Sequence, residues 1–189
     1  DYADITAALD GITGYKGDIK LVDATKDAPA DINDIAKLTT GKLTATLKAD
    51  TDITDANVTA LKDVNTKDAI AFTATDATAD ATALLALSKL IPTATFANIA
   101  TITEDEAQIG TNGKNVIDAY KLNDGVTAVT LNGTVSVASV KAINDATTGE
   151  LTVNTVKTAG GDFDLSKLGD LTEVKGLTTI DAKDGKTTK

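Results

Sequence analysis

Apolar residues recur in this chain with two alternating periods, and neither period lasts long enough to fold by itself. The first is a spacing of three, seen in Ile32, Ile35, Leu38; Val58, Leu61, Val64; Val137, Val140, Ile143; and Leu165, Leu168, Leu171. A spacing of three to four places each set on one face of a short helix. The second is a period of two in runs with β-branched residues: Ile19 to Leu21, Leu43 to Leu47, Ile70 to Thr75, Ile99 to Thr103, Val129 to Asn132 and Leu151 to Val156. These predict short strands. Polar turns follow the stripes, at Thr39-Thr40-Gly41-Lys42, Asn65-Thr66-Lys67-Asp68 and Asn144 to Gly149. Gly, and less readily Asn or Asp, tolerates the backbone geometry that ends a helix.

The strand-like runs start at 19, 43, 70, 99, 129 and 151, with a weaker one near Leu177. Spacings of roughly 20 to 30 residues are those of solenoid coils. One short helix and one short strand cannot bury an apolar face, whereas stacked neighbours can. The expected fold is therefore an α/β solenoid of irregular coils, leucine-rich-repeat-like, with its strands in a parallel sheet. Leu43, Ala45, Leu47 and Ile70, Phe72, Ala74 would point inward, and Thr44, Thr46, Thr73, Thr75 outward. The L-x-x-L-x-L-x-x-N signature of leucine-rich repeats is missing. The alternatives are a β-solenoid or a compact α/β domain. A single domain is expected over 1–180, with 181–189 a linker or incomplete coil. The apolar cluster Ala83 to Leu87 predicts a buried helix ended by Leu90-Ile91-Pro92, because proline disfavours helix in the residue before it. Gly110 to Gly113 reads as a turn leading into a helix through Val116, Ile117 and Tyr120.

Composition narrows the function. Aromatic residues make up 3% of the chain, and Cys, Met, Trp and His are absent. All 18 cationic side chains are Lys. Without His or Cys there is no Ser-His-Asp triad, thiol nucleophile or imidazole zinc ligand. Without Arg there is no bidentate anion clamp. Neither G-x-S-x-G, a P-loop nor G-x-G-x-x-G occurs. A hydrolase using two carboxylates would draw on Asp50, Asp52, Asp55 or Glu104, Asp105, Glu106, but a sugar cleft usually adds aromatic platforms. Solvated turn acids and helix caps are the simpler reading of these groups. The expectation is that the chain is not an enzyme. A net charge of -10 disfavours nucleic acid, and no apolar run reaches the 18 residues of a membrane span. No signal peptide is visible at Asp1, and both ends lie in repeat-like sequence, which reads as a fragment or processed product.

The segments Ile53-Thr54-Asp55-Ala56-Asn57-Val58-Thr59-Ala60-Leu61 and Ala142-Ile143-Asn144-Asp145-Ala146-Thr147-Thr148-Gly149-Glu150-Leu151-Thr152-Val153 resemble repeats of large bacterial cell-surface proteins. S-layer proteins and calcium-dependent secreted adhesins are similar in their wealth of Ala, Thr, Asp and Gly. The resemblance implies an extracellular location on a bacterial cell surface and a structural or adhesive role. It carries over no catalytic residue.

Calcium is the cofactor that an acidic, Asp-rich chain fits best, since it takes six to eight oxygens from carboxylates and turn carbonyls. The candidate ligands are Asp50, Asp52 and Asp55 at one turn, Asp162 and Asp164 in Gly160-Gly161-Asp162-Phe163-Asp164, and Asp181 and Asp184 near the end. Capping is the competing role at each. The expected function is a structural, calcium-assisted component of a surface layer, joined by self-association or by adjacent repeats of a longer protein. The alternative is an adhesin stalk that binds a cell-surface glycan through Tyr2, Tyr15, Phe96 or Tyr120.

Overall fold

Short helices alternate with short strands, and the strands pair in parallel. The computed structural model describes residues 2–12, 14–21, 27–49, 51–157, 174–175 and 179–181. In chain order the elements are α1 (Tyr2–Ala8), β1 (Ile19–Lys20), α2 (Pro29–Leu38), β2 (Leu43–Thr46), α3 (Asp55–Thr59), β3 (Ala69–Ala71), β4 (Thr78–Asp80) and α4 (Ala81–Leu90). They continue with β5 (Thr101–Asp105), a 3-10 turn (Thr111–Gly113), α5 (Lys114–Tyr120), β6 (Ala128–Ser136), α6 (Val137–Ala146), β7 (Glu150–Lys157), β8 (Val174–Lys175) and β9 (Thr179–Asp181). The fold is α/β with two parallel sheets, and no sheet closes into a barrel among the described residues. Two units form, one from Asp1–Ala79 with Ala83–Asn98, the other from Asp80–Thr82 with Ile99–Lys189.

The first unit carries the sheet β1-β2-β3. Ile19 lies opposite Leu43, and Ala45 opposite Ile70. Parallel neighbours need a crossover between them. Between β1 and β2 that crossover holds α2, which starts with Pro29 in its first turn, where the missing N–H costs nothing. Ile32 and Ile35 of α2 are buried, and so are Leu43, Ala45 and Leu47, while Thr46 is exposed. Ile70, Phe72 and Ala74 are buried as the alternation predicts, with Thr73 and Thr75 exposed. Phe72 meets Phe96 edge to face, with ring centroids 6.5 Å apart.

The third stripe folds differently from a full helix. α3 stops at Thr59, and Leu61 and Val64 lie in turns closed by Leu61 N–H to Val58 O and Val64 N–H to Leu61 O, both 3.0 Å. Bonds three residues apart keep every third side chain on one face. Leu61 and Val64 are therefore still buried.

The second unit carries the parallel strands β5-β6-β7-β8, with β9 also on β7. Ile102, Val129 and Leu151 are register neighbours, as are Glu104, Leu131 and Val153. The register shifts between Leu131 and Thr134, around Gly133. Strand β5 runs two residues past the predicted Ile99 to Thr103 run. α6 is capped by Ser136, whose hydroxyl accepts from Ser139 N–H at 3.1 Å, and it buries Val140 and Ile143. α5 occupies the helical run predicted after the Gly110 turn.

The succession Thr-Thr-Gly-x-Leu-Thr occurs at 39–44 and at 147–152, and in both places it leads from a helix into a strand. Thr39 and Thr147 leave their helices in the same extended conformation, φ -127°, ψ 145° and φ -124°, ψ 150°. The following glycines are required by space. A Cβ on Gly41 would lie 2.4 Å from the carbonyl oxygen of Gly17, and one on Gly149 2.3 Å from that of Thr127. Both obstacles are backbone, so relief requires moving a neighbouring strand entry. Gly41→Ala and Gly149→Ala are each expected to cost about 1–3 kcal/mol, the usual range for forced overpacking. Urea unfolding checks this, and a change under roughly 0.5 kcal/mol, the level of a neutral surface substitution, would contradict the close approach.

Candidate functional site

The polar side chains that bond over long sequence distances do so mainly to backbone. The Asp18 carboxylate accepts from Lys42 N–H at 2.8 Å, and Asp68 accepts from Leu43 N–H at 2.8 Å. Thr39 donates to Gly17 O at 2.7 Å and accepts from Gly41 N–H at 2.8 Å. Asn98 donates to Ala74 O at 2.9 Å in the first unit, and Asn123 to Ile99 O at 2.8 Å in the second, each across 24 residues. Asn33 and Asp63 exchange two bonds, side chain to side chain at 3.0 Å and Asp63 N–H to Asn33 Oδ1 at 2.7 Å. Unsatisfied peptide groups are costly when buried. Much of the chain's Asp, Asn and Thr thus serves to close the turns at the sheet margins.

Glu104 stands apart from this pattern. It sits in β5 on the same face as Ile102 and is fully buried at 0% exposure. Its Oε2 accepts from Thr82 N–H at 2.9 Å and from the Thr82 hydroxyl at 2.6 Å. Its Oε1 accepts from Asp105 N–H at 3.0 Å. Asn115 of α5 donates to Thr82 Oγ1 at 3.3 Å and to Gln108 O at 2.6 Å, which extends the network. Burial pushes the Glu104 carboxyl above the ordinary carboxylate value. The Thr82 and Asp105 hydrogen bonds oppose that rise, and the charge of Asp80 adds to it. As a turn acid Glu104 was expected to be solvated. The structure places it inside because the β5 register sets it beside Leu131, within hydrogen-bond reach of Thr82. The sequence signal was present in the alternation Ile102-x-Glu104, but a charged residue is seldom assigned to an inward position.

Of the proposed metal ligands, Asp52, Asp55 and Asp181 lie among the described residues. Asp52 and Asp55 flank Thr54, which caps α3 by accepting from Asn57 N–H at 3.4 Å, while Asp52 O accepts from the Asn57 side chain at 2.9 Å. Asp181 ends β9. Asp50, Asp162, Asp164 and Asp184 lie outside the described residues, as does the stripe Leu165, Leu168, Leu171. Among the described residues no group of three or more carboxylates is gathered as a metal ion would need.

The described residues include two open depressions among others. One, of about 370 Å³, lies between α1 and β1 and is lined by Ile5, Leu9, Tyr15, Asp18 and Lys20 among others. The other, about 510 Å³, is lined by Asp105, Glu106, Ala107, Asn132 and Gly133. Of the rings considered for glycan stacking, Tyr15 is 36% exposed, Phe96 is buried, and Tyr120 is half-buried with its hydroxyl 3.1 Å from that of Thr148. No helix among the described residues is long and apolar enough to cross a membrane. No protein-family model, curated protein or solved structure matches the chain.

Replacing Glu104 by Ala strands Thr82 N–H, its hydroxyl and Asp105 N–H and opens a void. The expected loss in unfolding free energy is about 1–3 kcal/mol, the range for leaving a buried hydrogen-bonding group unpaired, since Thr82 is half-buried and Asp105 exposed. Thr82→Val, which removes one hydroxyl bond, is expected to cost less. Equal, negligible losses in denaturant titration would show that the network does not bear on stability.

Proposed function

We propose that the chain is a structural element of a bacterial extracellular surface layer or a similar cell-surface assembly, built as an α/β solenoid. The observation that supports this most is the pairing pattern. Strand partners such as Ile19 with Leu43, Ala45 with Ile70, Ile102 with Val129 and Val129 with Leu151 are parallel, and each joins one helix-and-strand passage to the next. A chain that grows by adding one passage onto the last has a natural direction of extension, and its end strands carry backbone groups able to accept another strand. The work of such a protein is architectural. The partners would be further copies of the chain or adjacent repeats of a longer protein.

Acidic faces at a net charge of -10 repel one another at close range. Calcium held by turn carboxylates and carbonyls would offset that repulsion, with Asp50, Asp52, Asp55, Asp162, Asp164, Asp181 and Asp184 as candidate ligands. Assembly is expected to be calcium-dependent. Light scattering should rise when millimolar calcium is added to the chelated protein and fall again on chelation. Assembly unchanged by chelation would overturn the calcium step, and a chain that stays monomeric at every calcium level would overturn the lattice reading.

The exposed ring of Tyr15, beside Asp18 and Lys20 in the depression along β1, supports a second reading as an adhesin module that stacks on a cell-surface glycan. Here Tyr15→Ala would lower binding to immobilised glycans at least tenfold while leaving the unfolding midpoint nearly unchanged. Equal binding by the variant would remove this reading.

A further inference from the structure

We propose that Glu104 is a proton-dependent latch that fastens Thr82 to β5, so that acid tightens the second unit through this residue. The geometry carries the idea. A fully buried carboxyl bridges Thr82 and Asp105 through three hydrogen bonds. Among the described residues, the groups that donate hydrogen bonds to Glu104 are neutral: Thr82 N–H, the Thr82 hydroxyl and Asp105 N–H. β4 presents Asp80, which disfavours its ionised form. α4 presents Thr82, and α5 reaches Thr82 through Asn115. β6 sets Leu131 opposite in register, and the next residue of β5, Asp105, is exposed. An ionised carboxyl placed among these groups has lost its water and faces a second carboxylate, and only neutral donors compensate. A proton on Oε2 removes the charge, and the Thr82 hydroxyl can accept from it while Oε1 still accepts from Asp105 N–H.

The direction of the effect follows from linkage. The folded-state value of Glu104 lies above that of the unfolded chain. Between those two values the folded protein holds more protons, so stability falls as pH rises through the window. This is opposite to the usual acid sensitivity of a carboxylate held in an ion pair. It also differs from general relief of charge repulsion, because it must disappear when this one side chain is made neutral.

The test compares the wild-type chain with Glu104→Gln by thermal unfolding between pH 4 and pH 8. The wild type is expected to gain midpoint temperature relative to Glu104→Gln as pH falls, because only the wild type takes up the proton. Parallel profiles for the two proteins would overturn the proposal. Should Glu104→Gln fail to fold, carbon-13 NMR of the wild-type side-chain carboxyls decides. One glutamate titrating above the ordinary range, with Thr82 and Asp105 amide shifts following the same curve, supports the latch. An ordinary or depressed titration of Glu104 rejects it.

Discussion

The parallel hydrogen bonds between one strand and the strand of the next passage are the constraint on which the rest of the structure depends. Strands of two to five residues, such as β1, β2 and β3, hold too few bonds to persist alone. They persist because each is paired along its length and seals an aliphatic interior. Leu43, Ala45 and Ile70 fill that interior in one unit, and Ile102, Val129, Leu131, Leu151 and Val153 in the other. With small side chains and few rings, each passage buries little area.

That arrangement also explains how the polar residues are used. A stack of short strands has many strand entries, and every entry presents peptide N–H groups beyond the regular ladder. Asp18, Asp68, Asn98 and Asn123 bind the entry or exit of a neighbouring passage. The acidity of the chain is thus partly a consequence of its architecture. Where two entries approach most closely, at Gly41 against Gly17 and Gly149 against Thr127, no side chain fits. Glu104 takes the same capping chemistry indoors, where burial raises its carboxyl above the ordinary value.

Much of this was legible in order. The stripe Ile32, Ile35 forecasts α2, the stripe Val140, Ile143 forecasts α6, and the period-two runs at Leu43 and Leu151 forecast β2 and β7. These features depend on side chains close in sequence, whose periods report directly on backbone geometry. The expected metal ligands could not be judged so well. Asp52 and Asp55 are close in number, yet whether carboxylates converge depends on turns whose closure involves other residues, as Thr54 and Asn57 show. Strand β4 was not foreseen either, since Thr78-Ala79-Asp80 is too short to carry a period.

The sequence by itself determined the alternation of helix and strand, the inward faces and the positions of the turns, because each follows from steric and solvation preferences acting over a few residues. Only the tertiary structure decided which strands pair, that Glu104 is buried over Thr82, and that Gly41 and Gly149 have no room for a methyl group. Those outcomes join atoms some two dozen residues apart, as between Thr39 and Gly17, and no local pattern encodes the distance at which a distant carbonyl will come to rest.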